Sequence, residues 1–449
     1  MQFEITKEYI ENIQQLIIDK HDNTLLKSLE DVHYADVAEL IEELSTEDSL
    51  YIIKLLDSDF TSDVIAELDE DDREKILKGL SSKEIAEEID ELDTDDAADI
   101  INELPEEQKE EVISQLEDVE HAKEIVELLR YDEDTAGGLM AKELVKVNEN
   151  WNVLTCVKEM RAQAEEVTRV HSIYVVDDSD VLKGRLSLKD LLTTSTRSPI
   201  TDVFIKNVDS VNVHDKTDEV ARIMQKYDLE AIPVVDELGR LVGRITIDDI
   251  VDVIKEEAEK DYQMAAGLVD DVEADDSIIE LTKARLPWLV LGLFGGLGSV
   301  FIMEGFDAAL GNYKELFFFT PLIAAMAGNV GVQSSAIIVQ GLANDIIKGS
   351  LFKRLIKEVS ISLISGVVLG LLIIIFGLVT SMDFKFSFTV AISMLCVIII
   401  ASLIGTFVPI ILDKRGIDPA IATGPFITTS NDIFGIFLFF YIAKSILGF

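Results

Sequence analysis

Hydrophobic positions follow three different rhythms along this chain. In the first, leucine returns every 12 residues, at Leu44, Leu56, Leu68, Leu80, Leu92, Leu104, Leu116 and Leu128. One continuous helix would turn that leucine by about 120° per repeat and could not keep it on a single seam. A break in each period resolves the conflict, because the residue after most of these leucines is a cap or first-turn type: Ser45, Asp57, Asp69, Ser81, Asp93 and then Pro105. The pattern predicts short helices of about two to three turns stacked as a superhelical α-solenoid.

The second rhythm is a repeat with a period of 59. Val175-Val176-Asp177 returns as Val234-Val235-Asp236, and Gly184-Arg-Leu-Ser187-Leu-Lys-Asp190 returns as Gly243-Arg-Ile-Thr246-Ile-Asp-Asp249. Each copy reads as a helix, a β-branched strand, a polar turn and a second strand. A helix opened by Ser or Thr, with Asp three residues on, closes the unit. Two tandem α/β units follow from this.

The third rhythm is simple length. Apolar stretches run near Leu286–Phe306, Leu316–Ala343, Val359–Ser381, Phe386–Leu412 and Ala420–Leu447. Each exceeds the roughly 20 residues needed to cross a hydrocarbon core, which predicts a five-helix transmembrane bundle. With the first half inside, Lys283, Arg285, Lys348, Lys353, Arg354, Lys357, Lys414 and Arg415 fall on the inner side, and only Lys314, Lys385 and Lys444 outside. The positive-inside rule therefore predicts a multi-pass protein of the cell's inner (plasma) membrane, with a cytoplasmic N-terminus and the C-terminus on the extracellular side. The opening stretch from Met1 to Lys20 is charged and helix-like, so no signal peptide is expected. Cys156 and Cys396 stand in different halves and argue against a disulfide framework.

Charge sharpens the division. From Asp276 onward there are 11 acids and 11 bases, so the whole net charge of −45 belongs to the first 275 residues, with 73 acids against 28 bases. That many carboxylates repel one another, and their approach needs counterions. No nucleic-acid partner is expected. The dense clusters are Asp69-Glu-Asp-Asp72, Asp93 with Asp95-Asp96, Asp248-Asp249, Glu256-Glu257 with Glu259, and Asp270-Asp271. For any one of them a solvated acidic face is the commoner explanation; the collective effect is the firmer expectation.

Inside the membrane half the chemistry narrows to a few residues. Asp432 lies about 12 residues into the fifth stretch, roughly 18 Å along a helix. A carboxylate at that depth costs about 2.5–3.5 kcal/mol and needs a partner or a wet path. Gly424, Thr428, Asp432 and Gly435 share a helical face, and Pro425 cannot donate to the carbonyl of Ile421. This oxygen-rich stripe suits a hard, hydrated dication such as Mg2+. The second stretch, with Gly328, Asn329, Gly331 and Gln333, lets another helix approach closely and exposes carbonyls. Soft ligands are missing there: Cys396 is in another stretch, and all five histidines are in the soluble half. No P-loop or complete metal-ligand motif points to an enzyme.

Two resemblances add to this reading. The 59-residue repeat resembles a tandem pair of cystathionine-β-synthase (CBS) domains. In that family the Ser/Thr-x-x-Asp stretch often contacts an adenine nucleotide such as ATP, which implies Asp190 and Asp249, with Tyr174 and Pro233, as nucleotide contacts; helix capping alone is the competing reading. Pro321-Leu-Ile-Ala-Ala-Met-Ala-Gly328-Asn329-Val-Gly331-Val-Gln333, the Asp418-Pro-Ala and Pro425-Phe-Ile-Thr428-Thr-Ser-Asn-Asp432 runs, and Asp134-Thr-Ala-Gly-Gly-Leu-Met140 together resemble the MgtE family of magnesium transporters. That resemblance covers nearly the whole chain. It implies a homodimer importing Mg2+ down its gradient, with Asp432 at the filter beside Gly328, Gly331, Asn329 and Thr428. It further implies closure when intracellular Mg2+ binds acidic sites, for which Asp95, Asp96, Asp248, Asp249, Glu256, Glu259 and Asp418 are the candidates. Some members carry a polar side chain where this chain has Gly424.

The expected organisation is multidomain: acidic superhelix 1–133, CBS units 134–197 and 198–258, a long connecting (plug) helix 248–280, and the membrane bundle 281–449. Transport of another dication (Co2+, Mn2+), or a non-conducting membrane-anchored CBS sensor, are the alternatives.

Overall fold

A computed structural model describes residues 5–449 apart from 165–166, 168, 270–271, 273, 275, 344–346, 348–349 and 423. Lys348 and the Asp270-Asp271 cluster therefore lie outside the described residues. The chain packs as two compact units, Met1–Ile254 and Lys255–Phe449.

The first unit begins with ten short helices: α1 (Lys7–Ile18), α2 (Asp22–Leu29), α3 (Tyr34–Glu42), α4 (Thr46–Ile53), α5 (Ser58–Glu67), α6 (Glu70–Gly79), α7 (Ser82–Ile89), α8 (Thr94–Glu103), α9 (Glu106–Ile113) and α10 (Val119–Leu128). Helices stack on their next-but-one neighbours, α3 on α5, α5 on α7, α7 on α9, and α8 on α10, which winds the superhelix. The 12-residue rhythm has the predicted cause. Leu68, Leu80, Leu92, Leu104 and Leu128 are buried in one continuous core, and Leu44, Leu56 and Leu116 pack against it. The residue after six of these leucines, from Ser45 to Pro105, is the N-cap of the next helix. At Ser81 a full capping box forms with Glu84, satisfying two of the orphan N–H groups of that helix start.

The two α/β units then follow. The first holds β1 (Val145–Asn148), α11 (Val153–Gln163), β2 (Ile173–Val176), β3 (Leu182–Leu186), α12 (Leu188–Thr193) and β4 (Ile205–Lys206). The second holds β5 (Val211–Asn212), α13 (Thr217–Tyr227), β6 (Ala231–Val235), β7 (Leu241–Thr246) and α14 (Ile247–Ala266). Strand order is β1-β2-β3-β4 and β5-β6-β7, with the first pair of each sheet parallel and the rest antiparallel. The repeat persists down to its irregularities: a register shift falls between Val175 and Val176 in one copy and between Val234 and Val235 in the other. The next residue closes both turns alike, Asp177 accepting from the Ser179 and Val181 amides and Asp236 from those of Leu238 and Arg240.

The Asp134–Met140 motif is a clasp onto the second copy. The Ala136 and Gly137 amides donate to the carbonyls of Asp215 and Val213, and Ala141 exchanges two backbone hydrogen bonds with Arg244. Gly243 is glycine for this reason, since a Cβ there would stand 2.6 Å from Met140 Sδ and 2.8 Å from the Ala141 carbonyl.

Among the described residues the second unit contains five helices long and apolar enough to cross a membrane: α15 (Ile278–Glu304), then, after short α16 (Asp307–Asn312), α17 (Glu315–Ala343), α18 (Leu351–Val379), α19 (Phe384–Asp413) and α20 (Pro425–Leu447). α19 is the most buried, packed on α17, α18 and α20. The connecting helix α14 ends at Ala266 because Gly267 takes a left-handed φ of +90°. The Gly267 and Leu268 amides turn back to the carbonyls of Met264 and Gln263 there.

Candidate cation path and acidic sites

Helix α20 begins later than its hydrophobicity implied. Residues Pro419–Ala422 form a 3-10 turn capped by Asp418, whose Oδ1 accepts from the Ala420 amide at 2.7 Å, and Pro425 opens the α-helix. Asp432 is thus seven residues from that start, about 10 Å along the axis rather than the 18 Å expected. The proline leaves no gap in a helix interior, because at this first position its missing N–H would have had no helical partner. The Gly424 carbonyl is engaged as well, accepting from the Thr428 amide at 3.2 Å and from Thr428 Oγ1 at 3.1 Å.

Asp432 itself is half-buried and, among the described residues, makes no hydrogen bond or ion pair. It therefore does not serve to bond a neighbouring helix. Thr428, one turn below, brings its methyl to Gly328 of α17, where a Cβ would stand 3.3 Å away. Gly331 abuts the Asn431 amide and Ile427 on α20, while Gly405 of α19 abuts the Gly331 carbonyl. Gly435 faces Ala327 and Val397 in the same way. The glycines of α17 thus do what small residues do between membrane helices, and they set the second helix of the stripe directly against the first. Asn329 points to an exposed side of α17.

The N-terminal end of α20 carries a contact absent from the sequence pattern. A Cβ on Gly424 would collide with the Ala265 carbonyl at the end of α14, and one on Gly267 with the Pro425 ring. Gly424 lacks a side chain because the end of the connecting helix occupies its place. Gly424→Asn is accordingly expected to push α14 off α20, raising hydrogen–deuterium exchange across residues 263–268 over wild type. Unchanged exchange would contradict the contact. On the same helix Asp261 is raised by burial first and then by Asp418 and Glu257, so α14 brings a carboxylate to Asp418. Glu256 and Glu259 lie on exposed positions of α14. A further carboxylate, Glu358 of α18, accepts a 2.5 Å hydrogen bond from Ser334 of α17.

In the first unit the structure gathers Asp95, Asp96 and Asp249, the first two from α8 and the third from the first turn of α14. Asp93 and Glu143 join them: carboxylate oxygens of Asp93, Asp95 and Glu143 lie within 4.8 Å of one another. Glu143 arrives by capping α8, accepting from the Thr94 amide at 3.1 Å and from Thr94 Oγ1 at 2.9 Å. Among the described residues two guanidiniums act on them: Arg244, with Nη2 3.5 Å from Asp93 Oδ2 and Nη1 3.2 Å from the Arg169 carbonyl, and Arg73, which favours ionised Asp96 and Asp99 while paired with Glu103 at 2.6 Å. These two cations do not neutralise a set of five carboxylates. Desolvation, then repulsion from Asp96 and Asp249, holds the Asp95 carboxyl well above the usual carboxylate range. Asp96 and Asp99 keep solvent-reaching edges, yet desolvation first and then like charge push both up to about 7, with Arg73 opposing. Asp249 is raised too, although its Oδ2 accepts from the Thr246 amide and Oγ1, each at 2.8 Å. Asp248 is exposed.

Of the remaining candidates, Asp190 sits in the first turn of α12, where Ser187 caps the Lys189 amide. Tyr174 and Pro233 are buried, Tyr174 with its hydroxyl lacking a hydrogen-bond partner among the described residues.

A helical acidic superhelix, a CBS pair and five membrane-length helices with an unpartnered carboxylate define a multi-pass membrane protein of the cation-transporter class. Comparison with known proteins agrees. The family model described as a divalent cation transporter matches residues 320–442, the MgtE intracellular N domain matches 32–134, and CBS domains match 136–196 and 200–256. The magnesium transporter MgtE of Enterococcus faecalis is 38% identical over 71% of this chain and 70% of its own length. That of Bacillus subtilis is 37% identical over 71% of each, and that of Thermus thermophilus 34% identical over 71% and 72%. The cytosolic domain of the Mg2+ channel MgtE in complex with ATP superposes with a TM-score of 0.52 at 34% identity, covering 54% of this chain and 99% of that one. The soluble part of a magnesium transporter gives 0.51 at 30%, covering 56% and 99%. The chain belongs to the MgtE family of magnesium transporters.

Proposed function

We propose that this protein conducts Mg2+ across the plasma membrane, inward and down its gradient, and closes when Mg2+ occupies its acidic sites. The observation that carries the transport step is Asp432: a half-buried carboxylate with no partner among the described residues, one turn from Thr428, whose methyl meets Gly328. Mg2+ sheds water reluctantly and is served by one or two carboxylates plus oxygen dipoles, which this stripe supplies without His or Cys. One carboxylate per chain favours a path shared between two copies, hence a homodimer. The eight-to-three bias of basic residues favours the acidic half in the cytoplasm.

Regulation follows from the cluster around Asp95, Asp96 and Asp249, with Asp93 and Glu143, and from Asp418 with Asp261 and Glu259 on α14. Without a dication these carboxylates repel; with one they are drawn together, and the ion shifts the balance by its higher affinity for the closed form. An adenine nucleotide such as ATP fits best at Asp190, whose carboxylate is free of its own cap, whereas Asp249 is committed to Thr246 and the cluster. Tyr174 would have to become accessible for a base to stack on it.

Mg2+ uptake into proteoliposomes tests the transport reading, with no uptake above empty vesicles as the failing result. The cluster yields a second test. Its raised carboxyls bind protons more tightly folded than unfolded, so that stabilisation is complete below about pH 4 and lost as pH rises through about 7. Mg2+ takes over where protons leave. The rise in Tm on adding Mg2+ is expected to be several degrees at pH 8 and near zero at pH 5; an equal rise at both would contradict it.

A further inference from the structure

Asn431 is the group worst accommodated by the membrane-spanning helices. It is 1% exposed, and neither Oδ1 nor Nδ2 has a hydrogen-bond partner among the described residues. It belongs to the buried Ile427, Asn431, Gly435 stripe of α20, which packs on α17 and α19 rather than toward Thr428 and Asp432. Its amide nitrogen rests against Gly331 of α17. The gap on its other side, lined by Val397, Ile400, Ala401 and Phe434, is too small to admit a water molecule.

An unbonded amide in such surroundings is strongly unfavourable, and a leucine of similar volume would suit this packing better. A polar side chain kept there acts through a bond that this arrangement of the helices does not make. The nearest candidate partners are the backbone carbonyls of α17 beside Gly331, where no side chain stands between the helix backbone and Nδ2. A small turn or slide of α17 on α20 would bring one of them to Nδ2, and glycine at 331 leaves the room for it. The same movement sets where Gly328 stands relative to the Thr428–Asp432 stripe.

We propose that Asn431 is a positioning residue of the cation path, whose amide bonds the α17 backbone near Gly331 in the conducting arrangement and so fixes Gly328 opposite Asp432. The inference rests on the reading of that stripe as the Mg2+ path. An equilibrium between two helix arrangements is shifted only by an interaction that differs between them, and an amide bonded in one and bare in the other is such an interaction.

Full-length Asn431→Leu and Asn431→Ala, purified and reconstituted beside wild type, provide the test. Asn431→Leu is expected to melt at least ~2 °C higher, because a bare polar group is gone, yet to take up Mg2+ at least tenfold more slowly. Its Mg2+-to-Mn2+ uptake ratio is expected to fall as well. Asn431→Ala, which cannot clash, should show the same loss of uptake and settles the matter if the leucine variant does not fold. Wild-type uptake and selectivity in the variants would overturn the proposal. A drop in Tm for both would also overturn it, since the amide would then be holding the fold as it stands. Absence of uptake by wild type itself would instead remove the transport reading beneath it.

Discussion

Asp432→Ala is expected to lower Mg2+ uptake by about two orders of magnitude while leaving the protein at least as stable as wild type. Placing a carboxylate within a membrane helix costs about 2.5–3.5 kcal/mol, and Asp432 recovers none of it from a partner among the described residues. If the permeating ion supplies that compensation, removing the carboxylate forfeits an interaction of similar size, and about 2.7 kcal/mol is a hundredfold in rate. Asp432→Asn keeps the volume and oxygen but not the charge, so it should fall with the alanine variant. Asp432→Glu should retain part of the flux with altered selectivity. The stability clause separates this account from a structural one, in which losing the side chain would lower Tm. Unchanged Mg2+ flux in Asp432→Ala would remove Asp432 from the path.

The second large effect concerns the acidic half. Combined Asp95→Asn, Asp96→Asn and Asp249→Asn is expected to abolish the Mg2+-dependent rise in Tm expected of the wild-type protein. A ligand at a hundred times its Kd stabilises by about 2.7 kcal/mol per site, so the loss should be plain. In Mg2+-free buffer the same variant should melt higher than wild type, because Asp95 and Asp96 then no longer repel Asp249. Asparagine at 249 still offers an oxygen to Thr246, so the start of α14 survives. A variant that keeps the full Mg2+ response would move the regulatory ion elsewhere.

Much of the architecture was legible because it repeats. A leucine followed by a cap residue every 12 positions specifies short stacked helices, and a 59-residue repeat specifies two like α/β units whose strand irregularities also match. Five apolar runs became five helices. The depth of Asp432 was misjudged because hydropathy does not register a 3-10 turn: Asp418 caps one, and it delays the helix to Pro425. Other members of the sites were invisible for a different reason. Glu143 reaches the cluster only through the Thr94 cap 49 positions away, and Asp261 and Gly424 matter only because the end of α14 packs on the start of α20. Asn431 sits next to a conspicuous aspartate, and nothing in the local pattern sets it apart until its burial against Gly331 is seen. Contacts between residues far apart in sequence carry no local pattern.

The central claim is that Mg2+ gathered by the acidic half closes the path that Asp432 serves. Mg2+ uptake by the wild-type protein, measured in proteoliposomes with the acidic domains facing a compartment of controlled Mg2+, tests it most directly. The account predicts uptake that is highest when that compartment is free of Mg2+ and falls steeply as it reaches millimolar levels. Uptake that stays the same across that range, after correction for the changed gradient, would contradict it.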